Sequence, residues 1–173
     1  AASGPDSLRV YRDETALKVD ASALPRGTVV AAKLSQDGTR IAVALQHGTR
    51  TEVGLAVVAR SQGAVRLTGW HSIDPTMSTG SAGRALDVGW VSPTVLAVLQ
   101  VGTTGQTSVI RVSQDGASAA DIGPSNSGSL EQLAVMPQRT PVALDSGGGA
   151  YRSDGEFNWT LSLTSVDAVT YSG

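Results

Sequence analysis

The chain has 173 residues, 40% of them hydrophobic and 4% aromatic, and its 13 basic and 15 acidic residues leave a formal charge of -2. That is enough apolar material for a real core, so disorder over most of the length is excluded, and the scattered single charges include no Lys/Arg block able to neutralise a row of phosphates, which excludes nucleic acid as a partner. With no cysteine there is no disulfide framework, thiolate nucleophile or Cys-based zinc site, and no apolar run approaches the roughly 20 residues that span a bilayer.

In chain order, Leu8 to Arg12 and Thr15 to Asp20 read as a hairpin around Asp13-Glu14, equivalent to the last two strands of a four-strand unit whose first two are absent. The first full unit spans 29–70. Val29 to Ser35, Arg40 to Gln46, Glu52 to Arg60 and Val65 to Trp70 alternate apolar residues with period two, and they are punctuated by Asp37-Gly38, His47-Gly48-Thr49 and Ser61-Gln62-Gly63. Asp37-Gly38 predicts a type I′ hairpin turn, with positive φ at both central residues.

The second unit, 85–122, has strands at Ala85 to Val91, Val95 to Val101, Thr107 to Ser113 and Ser118 to Ile122. The third, 130–163, has them at Leu130 to Met136, Pro141 to Asp145, Ala150 to Ser153 and Phe157 to Leu163, followed by a tail at 164–173. Aligned breaks give a period of roughly 40 to 57 residues, the size of one propeller blade. The expected fold is therefore all-β: a β-propeller fragment of three four-stranded antiparallel blades plus a leading two-stranded hairpin, all within one domain over 1–173. Rings of this kind close with about 4 to 8 blades, so open sheet edges here need covering by the remaining part of the same propeller or by another copy.

No residue is assigned to catalysis, to a cofactor or to a metal. His71-Ser72-Ile73-Asp74 holds triad-type residues, but a triad is a spatial arrangement from separate segments, so these four read as a polar loop between blades. His47 reads as a solvated hairpin histidine, Asp37, Asp115 and Asp154 as turn formers and not calcium ligands, and Gly147-Gly148-Gly149 as a loose hairpin with no helix N-terminus behind it. Trp70, Trp90 and Trp159 fall in or beside strands and read as packing between sheets. Asn158-Trp159-Thr160 matches a glycosylation sequon by coincidence of a strand sequence.

The segment Leu34-Ser35-Gln36-Asp37-Gly38-Thr39-Arg40-Ile41-Ala42-Val43 resembles the propeller domain of the LpqB lipoproteins of actinobacteria. Val10-Tyr11-Arg12-Asp13, Leu86-Asp87-Val88-Gly89-Trp90 and the terminal Tyr171-Ser172-Gly173 extend the resemblance over nearly the whole chain, although the family ends in Tyr-Pro-Gly. The resemblance implies an upstream lipidated anchor and a further domain, hence an extracytoplasmic protein tethered to the membrane. It also implies a regulatory partner, the extracytoplasmic part of the sensor kinase MtrB of a two-component system. The expected function is that of a non-catalytic accessory domain binding this kinase and modulating cell-envelope signalling. A carbohydrate- or cell-wall-binding propeller and a propeller hydrolase are the alternatives. Because apolar strands face neighbouring sheets, loops should carry the contact, above all the one from His71 to Arg84, with Asp74, Pro75, Met77 and Arg84 as its contact residues.

Overall fold

The computed structural model describes residues 8–12, 15–61, 63–73, 84–116, 119–124, 129–135, 137–154 and 158–169, and no helix occurs among them. The strands are β1 (Val10–Arg12), β2 (Thr15–Asp20), β3 (Thr28–Leu34), β4 (Arg40–His47), β5 (Arg50–Ser61), β6 (Ala64–Ile73), β7 (Arg84–Ser92), β8 (Val95–Val101), β9 (Thr107–Ser113), β10 (Ala119–Asp121), β11 (Leu130–Ala134), β12 (Val142–Asp145), β13 (Ala150–Ser153) and β14 (Trp159–Leu163). They form a six-stranded sheet, β1-β2-β6-β5-β4-β3, and two four-stranded antiparallel meanders, β10-β9-β8-β7 and β11-β12-β13-β14.

β-Branched and aliphatic residues recur along these strands and favour the extended, half-buried conformation that each sheet needs. Strands β4 and β8 are buried over most of their length on both faces, as central strands between two packed layers must be. One cluster joins the first sheet to the second through Ala42, Ala44, Leu55 and Ile73 on one side and Val88, Trp90, Leu96 and Val98 on the other. Another joins the second sheet to the third through Leu99, Val109, Leu130, Leu133 and Ala143. The first strands of the three sheets are neighbours. Gly89 on β7 lets this happen, since a Cβ there would lie 2.7 Å from Val135 Cβ.

The leading hairpin is not half of a separate blade. Strand β2 runs parallel to β6, with Lys18 opposite Ala64, Val19 opposite Val65 and Asp20 opposite Arg66, so the hairpin extends the first sheet. The outer edge of β6 would otherwise present unpaired N–H and C=O groups. The sheet then curls: Leu8 and Val10 at one edge and Ala32 and Leu34 at the other line the same cleft of about 260 Å³. Val10, Leu17 and Val19 thereby cover the face of β4 and β6 that the second sheet leaves free, and the crossover to β3 buries Ala21 and Leu24 in the same cluster.

The turn at Asp37-Gly38 also differs from the two-residue form. Only Gly38 has positive φ, 66°, and the loop is closed by Ser35 N–H on Arg40 O at 2.8 Å, leaving four residues within that bond. Asp37 stays right-handed because its carboxylate is engaged locally, accepting from Ser35 Oγ at 2.6 Å and from Thr39 N at 3.0 Å. Such side-chain bonds offer the backbone a ready-made loop in place of the tight turn.

All strand ends fall at two levels. The proximal end collects the connections β1–β2, β3–β4, β5–β6, β7–β8, β9–β10, β11–β12 and β13–β14; the distal end collects β2–β3, β4–β5, β6–β7, β8–β9, β10–β11 and β12–β13, as the antiparallel order and the parallel β2–β6 pair require.

Candidate functional site

The proximal end of the first two sheets is bound together by one guanidinium. Arg40, the first residue of β4, donates from Nη1 to Gln114 Oε1 at 2.5 Å and from Nη2 to Pro93 O at 2.7 Å, reaching both proximal turns of the second sheet. Its Cζ stands 5.2 Å from the centroid of the Trp90 ring, within cation–π range. Trp90, 3% exposed, donates its indole N–H to Lys33 O on β3 at 3.0 Å. Together with Ser35, Asp37, Pro93 and Pro137 these groups line a cleft of about 180 Å³ where turns of all three sheets meet. Arg40 spends its fork on protein acceptors, so the cleft is a joint between sheets.

The sequence carried a signal for this joint: Ser35-Gln36-Asp37-Gly38 recurs letter for letter as Ser113-Gln114-Asp115-Gly116. Both copies fold alike, with Ser113 Oγ donating to Asp115 Oδ1 and Gly116 at φ 71°. Gln114 of the second copy is what Arg40, beside the first, grips. In the first copy the Ser35 hydroxyl, and after it the Thr39 N–H, hold the Asp37 carboxyl at about 2, below the ordinary 3.8. A depressed carboxyl stabilises its turn fully above the ordinary value and loses that support as pH falls from about 4 through about 2. Carbon-13 NMR titration of Asp37 is expected to give a midpoint near 2, moving toward 3.8 in Ser35→Ala; a wild-type midpoint near 3.8 would mean the loop does not depend on this carboxylate.

A second bridge spans the next pair of sheets. Asp87, in a bulged stretch of β7, accepts from Val88 N at 2.8 Å and, on its other oxygen, from Leu133 N of β11 at 3.1 Å. Burial pushes its carboxyl above the ordinary range, opposed by these two N–H groups and by the Lys33 charge. Sequence reasoning used Asp87 only as part of a motif, since nothing local says that β11 lies across from it. Trp159 makes a similar tie, its indole N–H donated to Ile122 O. Trp70 instead stays within its sheet and donates to Glu52 Oε1 at 3.1 Å. With these indole N–H groups committed to protein acceptors, Trp90 and Trp159 tie neighbouring elements together and Trp70 braces its own sheet.

The sequence-predicted contact residues Asp74, Pro75 and Met77 lie outside the described residues. Arg84 is described and exposed, but it opens strand β7 opposite Val101 and is no longer loop. His71, Ser72 and Ile73 likewise continue strand β6, opposite Leu55, Gly54 and Val53, because the bulge near Leu55 keeps the long β5 paired that far. His71 and Ser72 therefore point to opposite sides of the sheet and cannot share a proton. His47 Nε2 lies 3.4 Å from Glu52 Oε2 at the distal hairpin. Asp145 spends its carboxylate on Gly147 N, Gly149 N and the Tyr151 hydroxyl, which shapes the glycine turn around it. Among the described residues no three His, Cys, Asp or Glu side chains converge as a metal site would require.

A family model described as the lipoprotein LpqB beta-propeller domain matches residues 1–168. The curated protein "Lipoprotein LpqB" of Cutibacterium acnes (strain DSM 16379 / KPA171202) is 28% identical over 142 residues, covering 79% of this chain. The aligned part is 24% of that relative's own length.

Proposed function

Because this chain belongs to the LpqB lipoprotein β-propeller family, we propose that it is a rigid, non-catalytic binding platform in a lipoprotein held on the outer side of the cell membrane. The three sheets are its blades, forming part of one propeller over 1–173, and the remaining part of the same propeller or another copy covers the open edges. Leu161 and Leu163, 55% and 62% exposed on the outermost strand β14, are among the groups that such a neighbour would bury. The partner is the extracytoplasmic domain of an MtrB-type sensor kinase, and binding modulates envelope signalling. The family match over residues 1–168 carries this reading. The ties made by Arg40, Trp90, Asp87 and Trp159 support it, since they fix the sheets as a scaffold and leave the connections to meet a partner.

The contact is assigned to the connection between β6 and β7, through Asp74, Pro75, Met77 and Arg84. Deleting Thr76 to Gly83 from the full-length protein is expected to lower recovery of the kinase's extracytoplasmic domain in a pull-down at least tenfold. The melting temperature should stay within about 2 °C, because surface changes usually cost under about 0.5 kcal/mol. Equal recovery removes this connection from the interface, and no recovery by either protein removes the kinase as a direct partner.

A further inference from the structure

The second strand of each sheet sends alternate residues to its two sides. In the middle sheet, Leu96 and Val98 of β8 join the cluster shared with the first sheet, and Ala97 and Leu99 join the one shared with the third. The outer sheets follow the same rule. On β4, Ala42 and Ala44 go to the second sheet, while Ile41, Val43 and Leu45 go to the opposite, near face of the stack, where the leading hairpin and the crossover after it meet them. On β12, Ala143 goes to the second sheet, which puts Val142 and Leu144 on the far face of the stack. Each end of the stack therefore has the residue pattern of a sheet-to-sheet interface.

Both end faces carry covers smaller than a sheet. Strand β2 holds to β6 by three residue pairs in parallel register and by the Asp20–Arg66 ion pair at 3.0 Å, whose side chains are 38% and 70% exposed, so that the ion pair adds little. On the third sheet the chain after β14 crosses toward the far face: Val166 N–H donates to Gly148 O at 3.0 Å, and Val169 N–H donates to Oε1 of Gln132, the cross-strand partner of Leu144, at 3.2 Å. That cover is incomplete. Leu163, the cross-strand partner of Ala150, is 62% exposed.

We infer that a second copy of this chain replaces both covers: the far face of each third sheet seats on the near face of the other copy's first sheet, closing a ring of six four-stranded sheets. Three features name this occupant. The two interfaces inside the chain already pack the far side of one sheet on the near side of the next, so the new contact continues them. A sheet buries more apolar surface than a two-stranded hairpin, so the exchange is favourable, and release of the hairpin leaves the first sheet four-stranded like the others. One copy has one near face and one far face, so two copies satisfy each other reciprocally and the contact closes, at a sheet number within the about 4 to 8 of closed rings. The inference rests on the reading of the sheets as propeller blades given above.

Sedimentation velocity of this chain from about 1 µM to about 1 mM, the range of modest interfaces, is expected to show monomer passing to dimer with no larger species. The chain has no cysteine, so Lys18→Cys/Ala64→Cys, at facing positions of β2 and β6, fastens the hairpin by a single disulfide. Oxidised, this variant should stay monomeric over the whole range; reduced, it should dimerise as the wild type does. Leu163→Asp puts a charge into the new interface at a position already exposed in the single chain, so it should weaken dimerisation roughly a hundredfold and leave the melting temperature of dilute protein unchanged. A monomer at every concentration, dimerisation of the oxidised variant, an undiminished dimer in Leu163→Asp, or open-ended growth would each overturn the inference. A monomer would leave the near face to the remaining part of the same propeller, and the kinase pull-down would still decide the platform reading separately.

Discussion

Trp90→Ala is expected to cost about 4 kcal/mol of stability and lower the melting temperature by about 10 °C, the largest single-residue loss in the molecule. The indole is 3% exposed at the centre of the cluster that joins the first and second sheets. Truncation removes that packing, strips Lys33 O of its donor and takes away the ring beneath the Arg40 guanidinium. Trp90→Phe keeps most of the packing and loses the N–H, so it should cost about 1–2 kcal/mol. Because Arg40 rests on the same ring, Arg40→Ala should cost clearly less in the Trp90→Ala background than in the wild type. Thermal unfolding of the four proteins tests this. A loss below about 1 kcal/mol in Trp90→Ala would mean that the sheets are held together elsewhere.

Gly54→Val is expected to be the next most damaging change, at about 3 kcal/mol, read as a drop in melting temperature or as loss of soluble protein. Gly54 lies in mid-β5, where β6 crosses so closely that an added Cβ would come within 2.4 Å of Trp70 Cζ2 and 2.6 Å of His71 O. Its backbone angle is not the constraint, for its φ is not positive; space alone demands glycine. The two contacts differ in what can yield. Combining Gly54→Ala with Trp70→Leu removes the ring but leaves the backbone carbonyl, so partial recovery over Gly54→Ala alone is expected. Full recovery would show that the carbonyl moves freely, and β6 would then be less firmly held than its pairing indicates.

The strands themselves were legible in the sequence. Short apolar runs such as Arg40 to Gln46 and Val95 to Val101, apolar on both phases as central strands are, stand between glycine-marked reversals; fourteen strands result among the described residues, and the structure keeps the meander order. The place of His71 and Ser72 in a strand was not legible. That depended on how far β5 stays paired past its bulge, a property of two strands together.

Local sequence alone determined the all-β class and where the chain reverses, because apolar patterning and turn residues act over a few positions. Only the tertiary structure decided where the hairpin goes: β2 pairs with the open edge of β6, more than forty positions downstream, since that edge and the uncovered apolar face are satisfied together. The same holds for the site. Asp87 meets Leu133, and Arg40 meets Gln114, only once the sheets are stacked.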